Sequence, residues 1–197
     1  MARYRWLGTS ILVLTLGLSL PALGQSQEAA EVKSAEGRAF YDDQKFDLAL
    51  ASFKEAFALH PSSRYLFNSA KACVRLDDGE GAVYFFERYL ITNPVAEDRP
   101  DVLSEIDKLR GELFAAGRRE VRLKVEPAEA VIEAPEGHST EVVLAPASLF
   151  LAPGSYCVGF KAEGFLEQRA TVEVAADGPA LVTVEATLEK PVAGNPD

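Results

Sequence analysis

Residues 37–61, GRAFYDDQKFDLALASFKEAFALHP, decide how the first half of the chain reads. Two amphipathic helical patterns meet there. The earlier covers residues 30–42, with Gly37, Phe40 and Tyr41 at its small or apolar positions. The later covers residues 46–59, where Phe46, Ala49, Leu50, Phe53, Ala56, Phe57 and Leu59 follow the i, i+3, i+4, i+7 spacing of one helical face. The polar residues 42–45 form the turn between them, and Pro61 ends the second helix.

The markers recur. A shift of 33 residues carries Gly37 onto Ala70, Phe40 onto Cys73, Ala49 onto Ala82, Phe53 onto Phe86, Ala56 onto Tyr89 and Pro61 onto Pro94. Their characters repeat as small, apolar, small, aromatic, bulky and proline. These are packing intervals: a small residue lets two helices approach, the aromatic fills the space beside it, and proline releases the chain into the next hairpin.

Gly37-x2-Phe40, Ala49-x3-Phe53 and Pro61, then Ala82-x3-Phe86 and Pro94, resemble the tetratricopeptide repeat, a helical hairpin of about 34 residues. The resemblance covers residues 30–94. It departs from the family at Lys33 and Glu36, where apolar residues are usual, and at Gly79, which stands where the first copy has Phe46. Two hairpins need a cover. Residues 99–113 supply Val102, Leu103, Ile106, Leu109 and Leu113 on one stripe, with Pro100 at a favourable helix start and a charged, solvated opposite face.

Beyond Gly117 the apolar period changes from 3.6 to 2. Val121, Leu123 and Val125 alternate with Arg122, Lys124 and Glu126, and further short runs end at Leu188. Pro127, Pro135, Gly137, Pro146, Pro153, Gly154, Gly164 and Gly178 punctuate them, as expected of a small antiparallel sandwich. Val125-Glu126-Pro127, Ala130-Val131-Ile132, the run LAPGSYCV at residues 151–158 and Glu163-Gly164-Phe165 resemble the PEGA domain, a β-sandwich module of secreted and cell-surface proteins. The match is loose over residues 134–146. The expected architecture is α+β in two domains: an α-solenoid of about two helical hairpins plus a capping helix over residues 25–117, then the sandwich over residues 118–190. A disordered tail is expected over residues 191–197.

Residues 1–24 read as a secretory signal. Arg3 and Arg5 precede an apolar run at residues 11–20, and Pro21, Ala22 and Gly24 offer a cleavage site after Gly24. The alternative is an uncleaved anchor, since residues 6–23 approach the minimum membrane span. No cysteine follows the run, which argues against a lipoprotein anchor. Cleavage removes two arginines and no acid, leaving 18 basic against 30 acidic side chains, a net −12 compared with −10 for the 197-residue chain. That charge argues against a nucleic-acid surface. In an oxidising compartment, Cys73 and Cys157 either pair across the two halves or remain small, inert thiols.

No catalytic set emerges. His60 sits at a helix end and His138 in a turn, neither at metal-ligand spacing, and Asp42-Asp43 and Asp77-Asp78 fall in turns. No metal and no cofactor are expected. The binding candidates lie on helices. Arg64, Asn68, Lys71 and Arg75 fall at i, i+4, i+7, i+11 on one stripe, Arg38 and Tyr41 occupy a similar face of the first hairpin, and Phe67 adds an apolar contact. On an acidic chain this stripe suits the acidic segment or carboxylate terminus of a protein partner. The alternative is a solubilising face.

Two functions follow as expectations. One is an exported, non-enzymatic scaffold of the bacterial cell envelope that grips a protein through the helical groove. The other is a carbohydrate- or peptidoglycan-binding module, with the sandwich touching a cell-wall polymer. Exposed aromatics would favour the second, and Phe150 is the main candidate because Tyr156, Phe160 and Phe165 fall on inward positions.

Overall fold

In a computed structural model, the structure describes residues 23–128, 130–135, 142–179 and 181–191. Most of the expected signal segment and tail lie outside the described residues. Five helices come first: α1 (Leu23–Asp42), α2 (Phe46–Leu59), α3 (Ser63–Arg75), α4 (Gly79–Thr92) and α5 (Arg99–Ala115). The first helix begins seven residues before the expected residue 30, at Leu23, so the helix spans the expected cleavage position. Each helix packs on its neighbours in sequence, α1 on α2, α2 on α3, α3 on α4 and α4 on α5.

The 33-residue period extends to individual hydrogen bonds. Lys45 N donates to Phe40 O at 2.8 Å, and Asp78 N donates to Cys73 O at 2.9 Å, the same bond one period later. Gln44 and Asp77 hold the left-handed backbone of the two turns, with φ of 62° and 59°. These are helix stops in which a left-handed residue lets the chain fold back and satisfy the last carbonyls. The α2 and α4 ends repeat as well, with His60 N on Ala56 O and Asn93 N on Tyr89 O.

Gly37 explains the interval that opened the sequence. A Cβ there would lie 2.6 Å from Phe53 Cε1, so α1 rests directly on the Phe53 ring. At Gly79, where the first hairpin has Phe46, a Cβ would meet the Leu113 side chain at 3.6 Å. The missing aromatic leaves room for the capping helix. Lys33, placed where an apolar residue was anticipated, instead pairs with Glu55 at 2.8 Å and Glu36 at 3.0 Å.

Seven strands follow: β1 (Arg119–Glu126), β2 (Val131–Glu133), β3 (Val142–Leu144), β4 (Ala147–Leu151), β5 (Gly154–Lys161), β6 (Gln168–Val174) and β7 (Leu181–Thr187). They form one sheet in the order β4-β1-β7 and another in the order β3-β2-β5-β6. Val121, Leu123 and Leu149 from the first meet Ile132, Val158, Phe160 and Val172 from the second in one buried core. All pairs are antiparallel except β1 with β7, which run parallel. The expected wholly antiparallel sandwich is corrected on this point, because alternation fixes which face is buried and not which way a strand runs. Both cysteines are free thiols, Cys73 buried among the helices and Cys157 exposed on β5.

The two halves are joined by packed and charged contacts. Every residue of β4 is buried. Leu149 and Leu151 enter the sandwich core, while Phe150, 2 % exposed, enters the helical core with Phe85, Phe86 and Ile106. Leu144 N donates to Tyr84 Oη at 3.2 Å, and Arg88 Nη1 donates to Ala145 O at 3.1 Å. Beside them Arg110 bridges Glu87, at 2.6 Å, and Glu120, at 3.2 Å. Glu120 also accepts from Arg122 Nη2 at 2.7 Å and Ser148 Oγ at 2.8 Å. Arg110 and Arg122 face these two carboxylates, and the exposed Asp107 adds a longer contact to Arg110 at 3.7 Å; opposite charges at close range offset part of the desolvation cost of placing the network in a joint. β4 is an edge strand of its sheet, and α4 packs against it with Phe150 turned into the helical core.

Candidate functional site

A groove runs across one face of the helical half. Its larger hollow, about 330 Å³, is lined by α1 through Tyr41, by α3 through Phe67, Lys71, Val74 and Arg75, and by α4 and α5 through Phe86 and Val102. A second hollow of about 250 Å³ continues it past Arg38, Phe53 and Asn68, sharing Tyr41 and Lys71 with the first. Helical periodicity builds this surface. Asn68, Lys71 and Arg75 share one face of α3, while Leu66, Ala70 and Cys73 occupy the opposite, buried face.

The groove has a floor of aromatic edges. Phe67 packs against Phe86 and Tyr89, with ring centroids 5.9 and 5.2 Å apart. Tyr89 is anchored from below, donating its hydroxyl to Asp98 Oδ1 at 2.6 Å. Burial, and then the Asp98 carboxylate, hold the Tyr89 phenol above its ordinary pKa, so it stays a neutral donor.

The cations lie along one wall. Lys71 Nζ stands 5.9 Å from the Tyr41 ring centre and 5.8 Å from that of Phe67. The Arg75 guanidinium lies 4.5 Å over Phe46. Aromatic faces position these charges without neutralising them. Arg38 donates to the buried Ser34 Oγ at 3.0 Å and borders the second hollow.

Six of the seven expected site residues therefore meet at the groove: Arg38, Tyr41, Phe67, Asn68, Lys71 and Arg75. Arg64 does not. It pairs with Glu31 on α1, donates to Tyr65 Oη at 2.7 Å and stacks on the Tyr65 ring. The stripe is real, but its first member sits at the end of α3 where α1 passes close enough to claim it.

The opposite wall was missing from the sequence reading. Asp98, Asp101 and Glu105 line the larger hollow across from α3. Asp101 and Glu105 are one helical turn apart on α5, and their spacing could have placed them on one face. In the sequence alone they stand only as part of the charged, solvated face of the capping helix. The groove is thus cationic on α3 and acidic on α5.

The sandwich carries a hollow of about 280 Å³ lined by Leu166, Glu167, Gln168, Thr187 and Glu189, with no aromatic or cationic side chain among these lining residues. Phe150, the expected exposed aromatic, is buried in the joint, because β4 is covered on both faces. Among the described residues, no group of three or more His, Cys, Asp or Glu side chains could hold a metal, and no helix is long and apolar enough to cross a membrane. The sequence matches no family model and no curated protein.

Proposed function

We propose that this chain is an exported, non-enzymatic scaffold of the bacterial cell envelope that binds a protein partner through the groove of a tetratricopeptide-like helical half, held against a PEGA-like sandwich. The observation that carries the reading is an open apolar groove in which Lys71 and Arg75 rest on aromatic faces and form no ion pair with any described side chain. Such a surface stores unmet charge beside apolar area, which suits binding more than turnover. The repeat of packing intervals and turn hydrogen bonds supports the helical-repeat part of the proposal, and the signal-like residues 1–24 support export.

Deleting the sandwich would be a poor test, since it would bare the Phe150 socket in the helices. Point reversal is cleaner. Lys71 and Arg75 are exposed, so Lys71→Glu with Arg75→Glu leaves the cores intact. The proposal expects that crosslinked partners captured from envelope extracts by the wild-type chain are lost with the double variant while its melting temperature is retained. Undiminished capture by a folded double variant contradicts it.

A further inference from the structure

We infer that the groove selects a bipolar partner segment, one with an apolar anchor flanked by an acidic residue on the α3 side and a basic residue on the α5 side. This rests on the groove reading above and sharpens it. A purely acidic segment would satisfy Lys71 and Arg75 but bring its remaining carboxylates toward Asp98, Asp101 and Glu105 on the facing wall. A purely basic segment would meet the converse penalty. Only opposite charges at the two flanks are complementary to both walls, and like-charge juxtaposition is what rejects the others.

The chemistry of each wall is defined. Lys71 is held by the Tyr41 and Phe67 rings and Arg75 by Phe46, so both cations are preoriented and little side-chain freedom is lost on binding. On the acidic wall the three carboxylates differ. Asp98 already accepts the Tyr89 hydroxyl, and Glu105 reaches Lys108 at 3.2 Å along its own helix. Asp101 makes no ion pair or hydrogen bond with another described side chain and stands exposed on the first turn of α5. It is the principal receptor for the basic flank. The anchor enters between the walls over Phe67, Val74, Phe86 and Val102, a hollow of about 330 Å³, which has room for a leucine or phenylalanine side chain with its backbone.

The test uses the full mature chain and short synthetic peptides, capped at both ends to remove terminal charges. All share a Leu-Phe-Leu centre. One carries a lysine pair at one end and a glutamate pair at the other, a second carries glutamates at both ends, and a third carries lysines at both. Binding is read by fluorescence anisotropy. The bipolar peptide is expected to bind about tenfold more tightly than either uniform one. Asp101→Asn with Glu105→Gln should erase its advantage over the acidic peptide without changing the melting temperature, and Lys71→Gln with Arg75→Gln should erase its advantage over the basic one. If the acidic peptide binds as well as the bipolar peptide, and the α5 variant does not matter, bipolar selection is wrong and the groove reading stands. If none of the peptides binds, both are overturned.

Discussion

Gly37 and Phe53 show what a single interval controls. A methyl group at Gly37 would improve helix propensity by about 1 kcal/mol. It would also fall 2.6 Å from a ring that is 2 % exposed. Overpacking of this kind costs about 1–3 kcal/mol, so the clash should win. Gly37→Ala is expected to lower Tm, and adding Phe53→Leu should recover part of the loss, a coupling that denaturant titration of the four-variant cycle would measure. Independent effects of the two changes would mean that α1 does not rest on that ring.

Glu87 gives a second residue-scale prediction. Burial pushes its carboxyl pKa up, while Arg110 pulls it down, and the upward shift prevails. The folded state therefore holds this proton more tightly than the unfolded chain does. By linkage, the stability Glu87 contributes is greatest at acidic pH and falls as pH rises from the ordinary glutamate value through the raised one. Glu87→Gln removes that dependence and keeps an acceptor for Arg110. Its Tm relative to wild type should be most favourable near pH 8 and decline toward pH 5. A deficit that is constant across this range would show that the Arg110 ion pair outweighs burial.

Among the elements, β4 and α4 carry the joint. Phe150 on β4 fills a socket lined by Phe85, Phe86 and Ile106. Phe150→Ala is expected to cost about 3–5 kcal/mol if the socket cannot collapse. Calorimetry should then resolve a helical transition separated from that of the sandwich. A loss below about 1 kcal/mol, with unfolding unchanged, would mean that the halves are only loosely apposed. The same element marks a limit of sequence reading. Alternation placed Leu149 and Leu151 inward and so turned Phe150 toward solvent, whereas the covering helix lies some sixty residues earlier in the chain, where no local pattern could indicate it. The parallel pairing of β1 with β7 was hidden for a related reason, since a strand's hydrophobic period carries no direction. The helical hairpins were legible because their intervals are short: Gly37 and Phe53, which touch, stand 16 residues apart on consecutive helices. The groove was legible on its α1 and α3 sides but not on its α5 side. Spacing along one helix united Asn68, Lys71 and Arg75, but the loss of Arg64 to Glu31 and the arrival of Asp101 and Glu105 depend on neighbouring helices.

At the scale of the whole molecule, α4 stands between the groove and the sandwich. Phe86 and Tyr89 support Phe67 on one side, while Tyr84 and Arg88 bond the segment leading into β4 on the other. The sandwich thereby braces the groove's back wall, and α5 is fixed at both ends, by Asp98, which accepts the Tyr89 hydroxyl just before it, and by Arg110 near its far end. This arrangement suits a preformed surface, whose rigidity reduces the ordering cost of capture.

The most direct measurement places a photo-crosslinking benzophenone amino acid at Asn68, inside the groove, and separately at Lys54, exposed on α2 and outside it. In cells making the full chain, irradiation should give a discrete protein adduct from position 68 and none from position 54, and Lys71→Glu with Arg75→Glu should abolish it. Adducts arising equally from both positions, or an adduct at position 68 that survives the charge reversal, would contradict a gripping groove.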